Sequence, residues 1–574
     1  MDQLLPQSTK KKRGGNRIIM SSHTPSLSEN LDRFGSFLSQ ERSIILSILT
    51  YAVAVGLFSL IIPITVQELV NTFAFSVSPV MVVTLVGIMA GILFLVGIFK
   101  VLQFYATDIL ERRVFVRMTL RLARALPLFK EKIFQSDSVN RFFETVFLQR
   151  AISGLFVDLI NVLVGGTIGM ILLALYHPYF VFFDAALIIS VILIALLGKG
   201  GLGRTISMSE AKYEAFHWFQ EVADNHLQFK AASSYDLILQ KADAYAADYV
   251  KARKSRLKVL LRQYIGSISL QVFLHTGLLG TAGWLLSQDQ LTLGQLVAAE
   301  VIIASLLLNL DSVVKRSYVI FYFFTALEEL SHLFSLPQDK TSNGSDFSIP
   351  QPNAAGLDLK CNQLNWARDL VSVAEEIDLE VLPGEKWAVV CQTEGSRRRL
   401  SLALAGLEPP PVGAVRYNGV DLKNLSVDQL GKQRSIVFTR DLSLFKGSIT
   451  DNIKMGRQEI TSEDLLWALT LTELDKELEG LPNGLETIVQ ESGKGFTPSQ
   501  RLRILLARAI ATRPSLLILD GAMHEVPDQI RESILNRLRS NDCPWTLIIV
   551  TTDQRVTSHV DKHLLLFDPS QEAR

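Results

Sequence analysis

The chain has no excess of charge of either sign. Lys plus Arg and Asp plus Glu number 57 each among 574 residues, so no overall field draws it to nucleic acid. Cysteine is scarce: Cys361, Cys391 and Cys543 are the only three. Their spacing fits no zinc pattern, and they read as reduced thiols. The basic run Lys10-Lys11-Lys12-Arg13 is not followed by the apolar stretch and cleavage site of a secretory signal, so a cleaved signal peptide is not expected. Low-complexity blocks and internal repeats are also missing.

Apolar residues are what the chain has in quantity. They make up 48% of it, with a mean hydropathy of +0.26, high for a soluble protein and ordinary for one that is half membrane. The length calls for more than one domain. Six apolar stretches, near 44–66, 79–104, 155–176, 178–198, 267–288 and 294–316, approach the roughly 20 residues that cross a bilayer as helix. The third and fourth meet at a His177-Pro178 corner, which reads as a tight hairpin. Six such runs in order make a set of ordinary buried helices a poor reading.

Charge between the runs predicts topology. The gaps near 67–78, 177–179 and 287–293 carry no Lys or Arg. The segments near 105–150 and 199–266 are long and basic, with Arg112, Arg113, Arg117, Arg121 and Arg124 in one and Lys251, Arg253, Lys254, Arg256 and Lys258 in the other. By the positive-inside rule these segments and both termini face the cytoplasm. They read as helical continuations of the spans. Within them, Phe216, Trp218, Phe219, Val222 and Leu227, and the stretch 133–146 with Phe134, Phe142 and Phe143, are candidates for short docking helices; ordinary helix packing explains them as well. Asp158, Asp184, Glu300 and Asp311 fall in or at the ends of spans. Facing lipid they would be costly, so they should face the bundle interior or a wet cavity. Asp184 and Glu300 are candidates for a substrate path, with structural pairing as the alternative.

Residues 337–357 have linker composition. Beyond them apolar strands such as Trp387–Val390 and Leu516–Leu519 alternate with helical patterns such as Leu400–Ala405 and Gln500–Ala511, the rhythm of an α/β domain with a largely parallel sheet. Gly384-Glu385-Lys386 leads an apolar strand into Cys391-Gln392-Thr393-Glu394-Gly395-Ser396-Arg397-Arg398, where the pattern G-x-x-x-x-G-K-[ST] of a P-loop would stand. That loop needs glycines so that backbone N–H groups can curl around phosphates, a Lys for the β/γ-phosphates and a Ser or Thr for Mg²⁺.

Six spans with long extensions followed by such a domain resemble a half-transporter of the ABC exporter type, over roughly residues 40–570. Trp366 lies where that family stacks an aromatic on adenine. Phe438-Thr439-Arg440-Asp441 with Leu444-Phe445 and Asn452-Ile453 is similar to the Q-loop stretch, and Thr487–Gly493 to the loop ahead of the signature. Phe496-Thr497-Pro498-Ser499-Gln500 stands at the Leu-Ser-Gly-Gly-Gln signature. Leu516–Asp520 resembles the Walker B strand, 20 residues on from Gln500, and Ile548–Asp553 the switch stretch.

The resemblance implies an all-α six-helix transmembrane domain followed by an α/β P-loop-type domain. The expected divisions are a tail at 1–40, the transmembrane domain at 41–336, the linker at 337–357 and the nucleotide-binding-type domain at 358–574. It also implies ATP and Mg²⁺ as cofactors, and here the residues depart. Cys391, Glu394 and Ser396 replace glycines, and Glu394 adds a charge that repels phosphate. Arg397 keeps a cation in place of Lys but not its compact ammonium. Arg398 is no oxygen ligand for Mg²⁺. Asp520 could still bind metal, but Gly521 replaces the Glu that polarises water. Arg440 replaces the Q-loop Gln and Thr552 the switch His. The D-loop is not recognisable in Met523–Pro527. Pro498 removes an N–H where helix-start N–H groups hold the partner's phosphate. Intrinsic ATP hydrolysis is therefore not expected. Weak nucleotide binding through Trp366, Gly395, Ser396 and the arginines stays open. So does a dull reading in which Arg397–Arg399 is a solvated helix start.

Three functions compete. The first is an exporter subunit in the inner membrane, paired with an intact half-transporter and moving an unread substrate. The second is a membrane scaffold or regulator that moves nothing. The third is a homodimeric exporter with unusual ATPase chemistry.

Overall fold

The structure is a computed structural model that describes residues 41–75, 79–130, 136–153, 157, 159–232, 235–315, 317–334, 336–339, 356–365, 376–540 and 542–566. Trp366, Asp158 and Phe134 lie outside the described residues. The chain divides into two compact units, Met1–Arg124 with Gln135–Leu336 and Ala125–Phe134 with Pro337–Arg574.

The first unit is helical because a bilayer offers the backbone no partner but itself. Its helices are α1 (Arg42–Ser59), α2 (Ile61–Phe75), α3 (Pro79–Ala125), α4 (Glu144–Ser153), α5 (Ile160–Tyr176), α6 (Tyr179–Leu197), α7 (Gly201–Asp224), α8 (His226–Ala232), α9 (Asp236–Ser287), α10 (Leu293–Lys315) and α11 (Ser317–Phe334). Among the described residues, five helical stretches are long and apolar enough to cross a membrane, and α5 is a shorter apolar helix. These coincide with the six runs read from sequence. The first span breaks at Leu60 into α1 and α2. Pro63 has no N–H to offer the Ser59 carbonyl, which accounts for the break. At the α5–α6 corner His177 is extended (φ −159°, ψ 141°), as the residue before a proline prefers. The 47 residues of α3 and 52 of α9 give rods of about 70–80 Å, more than twice the ~30 Å hydrocarbon core. The helices thus run well beyond the bilayer.

In the extensions, a buried polar cluster joins α4, α7 and α11. Glu144 accepts from Lys212 Nζ (2.6 Å) and Tyr213 Oη (2.7 Å), and Arg141 pairs with Glu329. Trp218 is buried, edge-on to Phe229 and beneath Lys241, so it serves packing, whereas Phe216, Phe219 and Leu227 are exposed.

In the second unit, β1 (Leu359–Asn365), β2 (Ile377–Val381), β4 (Val412–Tyr417) and β5 (Val420–Asp421) form an antiparallel sheet in the order β2-β1-β4-β5. A five-stranded parallel sheet has the order β11-β3-β10-β9-β6, from β3 (Lys386–Val390), β6 (Arg434–Phe438), β9 (Leu516–Asp520), β10 (Thr546–Thr551) and β11 (Lys562–Leu565). β7 (Gly447–Ser448) pairs with β8 (Ile488–Val489). The helices that matter below are α12 (Glu394–Leu404), after β3, and α13 (Pro498–Ile510), before β9. Alternate residues of the central strands enter opposite layers: Leu517, Leu519, Leu547 and Ile549 join one core, Leu516, Ile518, Ile548 and Val550 the other. Burial on both faces is why these strands read as continuous apolar runs. The segment at Phe129 bridges Gln338, and Asp339 N donates to Leu128 O (2.7 Å). That short piece therefore belongs with the second unit, although the sequence places it inside the transmembrane stretch.

Candidate functional site

The register of the parallel sheet builds the site. Val390 stands opposite Thr551, and Asp520 stands between Val550 and Phe438. The residues that follow these strand ends, Glu394, Thr439, Arg440, Gly521 and Thr552, therefore share one carboxyl edge, the crevice where open α/β sheets take ligands. They line a cleft of about 350 Å³ together with Arg397, His524 and Glu525.

The loop after β3 starts a helix in the ordinary way. Thr393 is its N-cap, extended (φ −127°, ψ 155°), and its Oγ1 accepts from Ser396 N (3.1 Å). One of the helix-start donors is thus already satisfied. Cys391, where a P-loop has its first glycine, is buried, and burial pushes its thiol up to about 12.

Arg397 is 5% exposed and turns into the domain. Its Nη1 donates to Asp520 Oδ1, and its Nε and Nη2 reach Glu394 Oε2 at 2.8 Å. Asp520, 2% exposed, also accepts from Ser401 Oγ (2.7 Å) and faces Arg398 Nη1 at 3.5 Å. The Arg398 guanidinium lies 3.9 Å from the centroid of the Phe438 ring. Arg397 and Arg398 are therefore engaged, and the solvated-helix-start reading fails for them. Glu394 gathers the other motif positions: Arg440 Nη2 lies 3.0 Å and Thr552 Oγ1 3.1 Å from its Oε1. Burial works to raise the Glu394 pKa, but the Arg397 and Thr552 hydrogen bonds and the Arg397 and Arg440 charges outweigh it and hold the carboxyl below its ordinary value. Glu394, read from sequence as a repelling charge, is thus the hub of a paired cluster.

Gly521 has φ +125°, and a Cβ there would collide with Thr439 Oγ1, which itself donates to the Asp520 carbonyl (2.9 Å). The backbone at this position accepts glycine.

At the signature position Pro498 is the first residue of α13, where its missing N–H is no loss to the helix. Thr497 Oγ1 accepts from Gln500 N (3.2 Å), and Gln500 Oε1 accepts from Thr497 N (2.9 Å), a reciprocal capping box. Gln500 Nε2 donates to Glu477 Oε2 (3.0 Å). Gln500 thus stands apart from the cluster at Arg397, Arg440, Asp520 and Thr552. Gly395 and Ser396 sit in the first turn of α12, and Ser396 Oγ is 2.8 Å from Thr393 Oγ1. Sequence reasoning missed Ser401 and named Thr439 only as part of the Q-loop stretch, with no role of its own.

In the first unit, Asp184 is buried, and its Oδ1 has no hydrogen-bond partner among the described residues. Glu300 pairs with His275 Nε2 at 2.8 Å, and Asp311 with Lys315 at 2.6 Å.

A unit of long apolar helices followed by this α/β domain is similar in build to ABC exporter polypeptides. Comparison with known proteins gives the particulars. A family model described as ABC transporter matches residues 375–524. Over 288 residues the chain is 24% identical to a probable multidrug resistance ABC transporter ATP-binding/permease protein, YheI, of Bacillus subtilis, covering 50% of this chain and 49% of that one. The chain thus spans about half the length of that relative. Over 548 residues it is 23% identical to the lactococcin-A transport/processing ATP-binding protein LcnC of Lactococcus lactis, covering 91% of this chain and 74% of LcnC. A solved bacterial Atm1-family ABC exporter with ATP bound has the same fold, with a TM-score of 0.78 at 16% identity over 92% of this chain and 93% of that one.

Proposed function

We propose that this chain is the non-hydrolysing half of an ABC exporter, and that a second half-transporter with an intact P-loop supplies the chemistry. One observation carries the reading: the guanidinium at the P-loop lysine position is buried and paired with the Walker B carboxylate of its own chain. Mg-ATP needs that carboxylate for metal and that cation for phosphate. The residues present do not fit the group. Asp520 is engaged by Arg397, Arg398 and Ser401; Arg398 offers no oxygen to Mg²⁺; Gly521 offers no base. Among the described residues the domain nonetheless has two buried apolar cores and a well-capped α13. That combination suits a chain that contributes half of the membrane pathway and a folded domain for its partner. The basic extensions favour the cytoplasmic side for both termini and for the α/β domain, and the exporter-type build favours outward movement of the cargo.

The test is the subunit composition of the complex, extracted gently from native membranes and read by native mass. A stoichiometric second half carrying an intact P-loop is the expected result. A homodimer without such a partner overturns the pairing and favours the scaffold reading. ATPase activity of the pure chain that is lost on Asp520→Ala revives the homodimeric exporter.

A further inference from the structure

The transmembrane unit holds a cavity of about 440 Å³ between α1, α2, α3, α5 and α10, within the size range of small-molecule sites. Its lining has one charged residue, Lys100. The ammonium of Lys100 has no hydrogen bond or ion pair among the described residues, and no carboxylate is among those lining the cavity; neither Asp184 nor Glu300 is one of them. The other polar groups are Ser59, Asn161, Ser305, Asn309 and Ser312, and three of the five gather at one end. Gly166 faces Leu306, and Gly169 faces Ile302 and Leu306, so α5 and α10 pass each other in opposite directions. Asn161 at the start of α5 therefore lies toward the same end as Asn309 and Ser312 near the end of α10. Lys100 is 21 residues into α3, about 32 Å along it, the depth at which an apolar helix leaves the hydrocarbon core. Gln103 pins Asn161 by two amide hydrogen bonds, 2.9 and 3.1 Å. The far end is apolar, with Ile62, Pro63, Val301 and Ile302.

We infer that this cavity takes an amphiphile with an anionic headgroup. The headgroup lies against Lys100, Asn309 and Ser312, and the apolar part runs toward Gly169 and Ile302. A lone cation backed by amides and hydroxyls selects for negative charge, because a cationic headgroup would meet repulsion there with no acceptor charge to offset it. A lysine that merely marks the membrane boundary needs no cavity, and this one lines a cavity. The inference names the cargo class for the transport reading above and rests on that reading for the word cargo; the binding site itself does not.

The experiment uses the full chain in zwitterionic nanodiscs with a diazirine-bearing fatty acid and the fatty amine of the same length. The expected result is photo-adducts on α1, α5 and α10 peptides with the acid, at least about tenfold fewer with the amine, and a comparable loss with Lys100→Gln but not with Lys100→Arg. Gly165 lines the cavity and a Cβ there meets nothing within 4 Å. Gly165→Phe should therefore fold and block labelling by filling the space. Equal labelling by acid and amine, or labelling indifferent to Lys100→Gln and Gly165→Phe, overturns the inference. Competition by dissolved octanoate or by added phosphatidylglycerol supports the same headgroup chemistry and identifies its source as water or leaflet; competition by neither overturns it. Because the readout is binding, labelled chain that transports nothing with any partner sinks the transport reading and leaves the site standing.

Discussion

At the carboxyl edge of the parallel sheet three guanidinia share two carboxylates of the same chain, whereas in the transmembrane unit Lys100 faces a cavity that offers it no counter-charge. The two regions are built from similar pieces, cations and small polar groups at the ends of apolar elements. They differ in where the charge is answered. In the sheet cleft, Arg397 and Glu394 complete each other and leave little unmet demand for a ligand. In the membrane cavity the demand is left open, and it falls to whatever enters.

The largest way to break this contrast is Asp520→Ala. It strips a buried guanidinium of one of its two carboxylate partners, leaving Glu394, and full removal of a buried partner costs about 3–5 kcal/mol, so a loss approaching that range is expected. Denaturant unfolding of the α/β domain within the full chain should register it, and Arg397→Met with Asp520→Leu should recover most of the loss. A neutral Asp520→Ala would mean the pair is incidental and the cleft is open after all. Next comes Gly521→Glu. Side-chain strain at φ +125° and the collision with Thr439 should cost about 1–3 kcal/mol without restoring ATPase activity in the pure chain; a stable, hydrolysing variant would refute the account of the backbone. Third, Glu394→Ala releases Arg440 and Thr552 and removes a negative charge, so the affinity for Mg-ATP, read by fluorescent-nucleotide titration, should rise about tenfold, or about 1.4 kcal/mol. Unchanged affinity would show that internal pairing is not what fills the cleft.

The smallest effect is a pH dependence. The folded Glu394 carboxyl titrates below its ordinary value, so near that value the unfolded chain binds the proton first. Glu394 therefore adds stability above the ordinary carboxylate range, and that stability is lost as pH falls through the lowered value. Solvent screening keeps the contribution below about 1 kcal/mol. Comparing unfolding of the wild type and Glu394→Gln between about pH 3 and 6 should show the steeper acid loss in the wild type.

Much of the architecture was legible because it rests on local signals. Six apolar runs announced the spans, and the Gln500-to-Asp520 step with its flanking strands announced the α/β frame. The pairings were not legible. Arg397 meets Asp520 across 123 residues, and Glu394 meets Thr552 across 158; only sheet register brings them together. Pro498, read as damage to the signature, is a good first residue for α13, because a helix start and a phosphate site make different demands on the same N–H. The Lys100 cavity escaped because a single lysine at the end of an apolar run looks like a boundary marker until it is seen to share a cavity lining with residues of four other helices.

Gly521 has a consequence for how such a chain could change. Its left-handed backbone and the Thr439 hydroxyl occupying the side-chain position make any side chain hard to place here. A single substitution lands on a misfit, and a tolerated one requires Thr439 and the local backbone to move first. The position works as a ratchet: a change to glycine is accommodated at once, and a change from it is not.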